Sequence, residues 1–170
     1  MWRGLDEWRA ESCTIELDDG ALTARGVQIG RGHRLRYELR TDPDLITGEL
    51  LARVHTAAGE RSLKLTREAD GSWHADGEAL PDVQGALDCD LALSPLTNFM
   101  PAHRLGSEAA DHVMAWVSVP ELEVVRSEQR YEATGPGRVR YTGLDTDFTA
   151  ELELDEHGFV VRYPGLAELA

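Results

Sequence analysis

Short runs of alternating apolar and polar residues, separated by turn-forming dipeptides, occupy most of this chain. In the clearest run Leu35, Tyr37 and Leu39 alternate with charged residues, which predicts a strand with one buried and one solvated face. Residues 148–154 and 159–163 show the same period on either side of a glycine-containing turn. Because almost no segment has the 3.6-residue period of a helix, the sequence predicts an all-β, mainly antiparallel protein.

The runs follow one another as about ten or eleven strands in hairpin order, with no linker, repeat or low-complexity tract. A chain of 170 residues is about the size of one domain with one sizeable core. We therefore expect a single domain over residues 1–170, built on one antiparallel sheet that curls on itself. Within residues 21–29 the apolar positions change parity at Gly26, which predicts a β-bulge there.

The stretch from Asp88 to Leu105 departs from this pattern. It begins as a strand with Cys89, Leu91 and Leu93 on one face, then breaks at Ser94-Pro95 while remaining rich in apolar residues. Apolar residues on an irregular segment either fill the core or line a cavity. The sequence leaves both alternatives open.

The charge balance limits the partners of this acidic protein. With 31 acidic and 17 basic residues the net charge is -14, which repels phosphate backbones and anionic membranes, so no nucleic acid partner is expected. The sequence shows no signal-peptide pattern and no run of about 18 apolar residues, so we expect a cytoplasmic protein without stable membrane insertion. Cys13 and Cys89 lie in apolar strand patterns and are expected to be free thiols.

Known catalytic and cofactor motifs are absent from the sequence. The six histidines are scattered without a metal-ligand spacing, and no phosphate-binding loop or dinucleotide fingerprint occurs, so neither a metal nor a cofactor is expected. Asp88 and Asp90 fall on one strand face, where paired carboxylates could act as acid and base. We favour the interpretation that they accept hydrogen bonds from the loop or pair with an arginine such as Arg104. No catalytic residue is therefore predicted.

Two further groups of residues have a structural and a functional interpretation. Arg34, Arg36 and Arg40 could form an anion site, but on an acidic protein such a face more often balances carboxylates on neighbouring strands. The aromatic residues most often pack in the core, although a curled sheet can leave a cavity that they line.

The order Asp88-Cys89-Asp90-Leu91, Ser94-Pro95-Leu96-Thr97-Asn98 and Pro101 through Arg104-Leu105 resembles the bacterial family of putative glycolipid-binding proteins. Trp73, Trp116-Val117 and Arg140-Tyr141 are also similar in their order, so the resemblance covers essentially the whole chain. The resemblance implies a spiral β-roll or half-barrel, similar to the lipoprotein carriers of bacterial envelopes, whose curved sheet encloses a cavity for acyl chains. It implies no known enzyme activity. We interpret residues 88–105 as a short irregular or helical segment across this roll.

The predicted function is binding of a hydrophobic or amphipathic ligand, a lipid or glycolipid, in the cavity of the curved sheet. The acyl portion is expected near Leu91, Leu93 and Phe99, and the polar head near Asp90, Asn98 and Arg104. The full set of expected ligand-binding residues is Trp73, Asp90, Leu91, Leu93, Asn98, Phe99, Arg104, Trp116, Tyr131 and Tyr141.

Two alternatives stay open. One is an interaction module with a packed interior that exposes a sheet edge to a partner or to a second copy of itself. The other is a hydrolase-like enzyme that uses Asp88, Asp90 and His103, which cluster near one turn of the sequence. For the protein as a whole we expect a monomer or a homodimer.

Overall fold

The computed structural model describes residues 1–170 and contains one sheet of fifteen strands. The strands are β1 (Trp2–Gly4), β2 (Arg9–Asp18), β3 (Ala21–Gly30), β4 (His33–Thr41), β5 (Thr47–Thr56), β6 (Gly59–Arg67), β7 (Trp73–Ala75), β8 (Glu78–Ala79), β9 (Asp88–Leu91), β10 (Ala110–Val117), β11 (Val124–Gly135), β12 (Arg138–Gly143), β13 (Thr149–Leu154), β14 (Val160–Tyr163) and β15 (Ala167–Leu169). The only α-helix is α1 (Phe99–His103), and 3₁₀ turns occupy Pro81–Val83 and Leu96–Asn98.

The sheet is curled and unclosed, and it is mainly antiparallel as the sequence predicts. Its order runs from β8 back to β1 and then from β15 back to β9, so β8 and β9 form the two edges. Only β9 and β10 pair in parallel. The chain ends meet at the middle of the sheet, where β1 pairs with β15 and the Ala170 amide donates to the Met1 carbonyl at 2.9 Å. The expected ten or eleven strands were too few, because strands such as β1, β8 and β15 are too short to show an alternating pattern.

The first half of the sheet buries a continuous apolar row. Ala24, Leu39, Leu50 and Leu65 lie opposite one another in register on β3 to β6, and each is fully buried. A cross-strand row of this kind stabilises the sheet through side-chain packing on one face. The opposite face of these strands carries the charged residues, so the predicted division into a core face and a wet face is confirmed.

The β-bulge predicted at Gly26 is wrong. The register of β3 with both neighbours continues without a shift through Cys13, Gly26 and Tyr37, and the inward positions keep the same parity throughout β3. Val27 and Ile29 therefore point outward, and Ile29 is 39% exposed. The glycine is required for space, since a Cβ atom at Gly26 would lie 2.3 Å from Cζ of the buried Tyr37 ring.

Residues 92–105, which we term the plug, fill the interior of the roll. The expected strand stops at Leu91, because Leu93 adopts a left-handed conformation with φ of 66° that cannot continue a strand. Every residue from 94 to 101 is buried, and Leu96, Phe99 and Met100 belong to the main core cluster. The apolar residues of this irregular segment thus pack in the core, which decides between the two alternatives that the sequence leaves open.

The close approach at Gly26 yields a test of the packing. Gly26→Ala is expected to lower the free energy of unfolding by about 1–3 kcal/mol, because the buried Tyr37 ring has to shift. Gly106→Ala is the control, since Gly106 is exposed and a Cβ there meets no atom within 4 Å. The control should change stability by less than about 0.5 kcal/mol in urea denaturation. Equal midpoints for the two variants would contradict this account of Gly26.

Candidate functional site

The plug is fixed to the roll by an ion pair between Asp88 and Arg104. A guanidinium nitrogen of Arg104 contacts Asp88 Oδ2, and Arg104 Nη1 also donates to the Leu45 carbonyl at 2.7 Å. The predicted pairing of a strand carboxylate with Arg104 is therefore confirmed. Asp88 is fully buried and its Oδ1 has no partner, and this burial raises the pKa of Asp88 to about 6 despite the nearby arginine.

Asp90 forms a second polar anchor one pleat further along β9. Its carboxylate accepts hydrogen bonds from Thr97 Oγ1 and Gln129 Nε2, both at 2.7 Å. Burial raises the pKa of Asp90, while these two hydrogen bonds act in the opposite direction. The Tyr131 hydroxyl lies 3.0 Å from both Asn98 Oδ1 and Gln129 Oε1, so it can donate to either oxygen. The plug is thereby tied to β11 as well as to β9.

A third anchor reaches the plug from β2. Glu11 is 2% exposed, and its Oε1 accepts hydrogen bonds from the Tyr37 hydroxyl at 2.6 Å and from Ser94 Oγ at 2.7 Å. Burial raises the pKa of Glu11, and its Oε2 has no partner. The sequence analysis missed this residue. The available clue was that Glu11 shares strand parity with Cys13 and Ile15, which places a carboxylate on an apolar face.

The residues predicted to bind a ligand are spread over several environments. Asp90, Asn98, Arg104 and Tyr131 come together as anchors of the plug, and their polar groups are bonded to other residues of the chain. The remaining predicted residues lie elsewhere in the roll: Leu91 in the main core, Leu93 partly buried near Trp2, Phe99 stacked on Phe159 at 4.2 Å, Tyr141 against Tyr131 at 5.5 Å, Trp116 half-buried on β10, and Trp73 donating to the Ala86 carbonyl at 3.0 Å.

His103 lies apart from the two aspartates proposed for a hydrolase-like site. It is exposed, and its ring packs 5.1 Å from the Phe99 ring. The hydrogen-bond partners of Asp88 and Asp90 are other residues, as described above. The arrangement gives both carboxylates a role in holding the plug.

An opening lies where the two ends of the curled sheet approach each other, and we term it the seam cleft. It has a volume of about 390 Å³ and is lined by Leu63, Ala75, Leu80, Leu122 and Val124, with Asp76 and Glu78. Two side chain to backbone hydrogen bonds cross this boundary, from Arg61 Nη1 to the Glu121 carbonyl at 3.4 Å and from Arg126 Nη1 to the Gln84 carbonyl at 3.3 Å.

The floor of the seam cleft is continuous with the core. Leu63 lies opposite Ala52 on the inner face, and Val124 lies opposite Val117, which is fully buried. Leu122 is 7% exposed and adopts a left-handed conformation with φ of 59°, which costs free energy for a residue with a Cβ atom. None of the lining residues was predicted from the sequence, because the cleft joins segments that are far apart in the chain.

Together these features define an unclosed, mainly antiparallel β-roll with a filled interior and a cleft at its seam. The model of the family described as "Putative glycolipid-binding" matches residues 1–168, and the chain belongs to this family. The fold is similar to the crystal structure of a DUF1089 family protein from Pseudomonas aeruginosa, with a TM-score of 0.82 and 31% identity. That similarity covers 99% of this chain and 95% of the other. No curated protein gives a significant match. No helix of this chain has the length and apolar character needed to cross a bilayer.

The buried aspartate makes stability depend on pH in a defined direction. The pKa of Asp88 in the folded protein, about 6, exceeds its ordinary value of 3.8, so protonation favours the folded state. This contribution is fully present below the ordinary pKa and is lost as pH rises through the folded value. In urea denaturation Asp88 therefore adds to the free energy of unfolding at about pH 5 relative to about pH 7. His33 and His112, whose pKa values are lowered by burial, act in the opposite direction over this range.

Asp88→Asn should reduce this difference between the two pH values, because the substituted side chain does not titrate. Glu11, whose pKa is also raised, will leave a residual slope of the same sign. The half-buried Glu38 contributes in the opposite direction, since hydrogen bonds from Arg25 and Arg40 lower its pKa, and its contribution changes at pH values below the ordinary pKa of 4.5. If Asp88→Asn retained the whole difference, Asp88 would not be its source.

Proposed function

We propose that the protein binds a neutral, hydroxyl-rich amphipathic ligand of the glycolipid class, with the acyl chain in the seam cleft. The observation that carries this proposal is the cleft itself, where five of the seven lining residues are hydrophobic and their floor is the main core. Hydrophobic side chains together with a few polar groups are the usual lining of a small-molecule site.

The size and lining of the seam cleft suit an acyl chain. Its volume of about 390 Å³ falls within the range of roughly 300–1,000 Å³ that is common for ligand pockets. Each methylene that leaves water for such a lining contributes about 0.8 kcal/mol. Ala75, Leu80 and Val124 are half-buried and thus present apolar surface that a ligand would cover.

The charge around the seam cleft favours a neutral head group. Asp76 and Glu78 lie at its rim and are exposed. Asp76 Oδ1 accepts a hydrogen bond from the Lys64 amide at 2.9 Å, and the other carboxylate oxygen is available to a ligand. Carboxylates accept hydrogen bonds from the hydroxyls of a sugar. They repel a phosphate, as does the net charge of -14. The description of the family, which names glycolipid binding, agrees with this chemistry.

The interior site expected from the sequence remains a second proposal for the same class of ligand. An acyl chain placed against Leu91, Phe99 and Tyr131 would have to displace the plug, because these three side chains are fully buried. Such a movement would break the anchors formed by Asp88, Asp90 and Glu11. The seam cleft needs no such movement, and we therefore favour it.

A series of alkyl maltosides of increasing chain length, kept below their critical micelle concentrations, tests the proposal by isothermal titration calorimetry. Affinity should rise roughly tenfold for every two methylenes until the seam cleft is full, and then level off. A dodecyl chain with a phosphate head group should bind more weakly than dodecyl maltoside, because it meets acidic residues at the rim.

Val124→Glu should abolish saturable binding by placing a charge in the seam cleft, and Ala75→Phe should weaken it by filling the space. Val125→Glu is the matched control, because Val125 is the next residue on β11 and is 47% exposed outside the cleft. Circular dichroism would confirm that each variant is folded. Binding that survived both cleft variants, or that Val125→Glu reduced equally, would exclude the seam cleft as the site.

A further inference from the structure

We propose that the outer face of β4 to β6 carries a separate site for a phosphate group, formed by Arg36 and Arg53. The two arginines lie directly opposite each other in the register of β4 and β5, and both are exposed. This inference goes beyond the function proposed above and stands without it, because it rests on the wet face of the sheet.

The arginine pair is incompletely neutralised by the protein. Arg25 and Arg40 on the same face both pair with Glu38, the former at 3.0 Å. Arg36 forms no ion pair and no side-chain hydrogen bond, and Arg53 reaches only Glu60 at 3.7 Å. Like charges placed directly opposite on adjacent strands destabilise a sheet. A bound anion would remove this repulsion.

The surroundings of the pair provide space and further donors. Both arginines line an open groove of about 450 Å³ together with Lys64 and Ser62. A second groove of about 330 Å³ continues it across Arg36 and Glu38 towards β2 and β3. The floor of the first groove is formed by the backbone of β4 to β6, between the side chains that point outward from these strands. Two guanidinium groups, one ammonium group and one hydroxyl thus line a single groove, and the ammonium group of Lys64 also pairs with Glu49 at 3.4 Å. Two carboxylates line the same groove: Glu38, which is paired with Arg25 and Arg40, and Asp76, whose Oδ1 accepts a hydrogen bond from the Lys64 amide.

This donor set matches a phosphate monoester. A guanidinium group can donate two parallel hydrogen bonds to phosphate oxygens, and two guanidinium groups can together neutralise a dianion. The phosphate could belong to a free small molecule or to a lipid head group, and the chemistry at Arg36 and Arg53 is the same in both cases. Because the whole protein is acidic, the attraction acts at short range and not through the overall field.

Thermal denaturation with inorganic phosphate, compared with sodium chloride at equal ionic strength, tests the site. Phosphate should raise the Tm of the unmodified protein more than chloride does, since a ligand of the folded state stabilises it. Arg36→Gln should abolish the phosphate-specific rise and weaken phosphate binding by on the order of tenfold or more. The same variant without ligand should be more stable than the unmodified protein, because the repulsion from Arg53 is gone.

Arg138→Gln is the matched control, because Arg138 is an exposed arginine on the other half of the sheet and pairs with Glu151. The Arg138→Gln variant should keep the rise in Tm that phosphate causes beyond the rise with chloride. Sedimentation with vesicles of phosphatidic acid, whose head group is a phosphate monoester, and with vesicles of phosphatidylcholine distinguishes the sources. Binding to the first alone, lost in Arg36→Gln, would assign the phosphate to a lipid. Equal effects of phosphate and chloride together with no vesicle binding, or equal losses in the two variants, would overturn the proposal.

Discussion

Buried carboxylates hold the plug inside the roll, and the rest of the structure depends on them. Asp88, Asp90 and Glu11 each place an acidic group in a region where an unpaired charge is unfavourable, and each is satisfied in part by hydrogen-bond donors. Thr97, Ser94 and Arg104 of the plug supply donors to all three. An irregular segment has few backbone hydrogen bonds of its own, so these side-chain bonds determine where it lies. Removing Arg104 would leave Asp88 buried without a side-chain donor, which costs more than the bond itself contributes, whereas Asp90 and Glu11 would each keep one donor outside the plug.

The open sheet explains why the two proposed binding surfaces lie outside the filled interior. A sheet that curls without closing leaves two edge strands, β8 and β9, and its ends have to be covered by other contacts. The side-chain hydrogen bonds from Arg61 and Arg126 link the two ends of the sheet, but no backbone hydrogen bonds pair β8 with β9. The inner face of the sheet therefore remains partly open at the seam cleft. The outer face is regular and polar, and its opposed arginines are a local feature of strand register.

Sequence reasoning predicted the features that depend on local periodicity. The alternation around Leu35 and the residues from 148 to 163 identified strands and their buried faces, and a sheet that curls followed from many short strands in hairpin order. Gly26 was misinterpreted because its role depends on the ring of Tyr37, a cross-strand partner that periodicity does not reveal. The seam cleft was missed for a similar reason. It joins Leu63 to Val124, and no pattern along the chain relates residues so far apart.

The pairing of β1 with β15 has a consequence for how the protein is made. These strands lie in the middle of the sheet, yet they come from opposite ends of the chain. The β1–β15 ladder that unites the two halves can therefore form only after β15 has left the ribosome. Before that, β1 to β8 and β9 to β14 lack this ladder, and each half has an additional exposed edge strand that can pair with another chain. The pairing of β15 with β1 removes both of these edges.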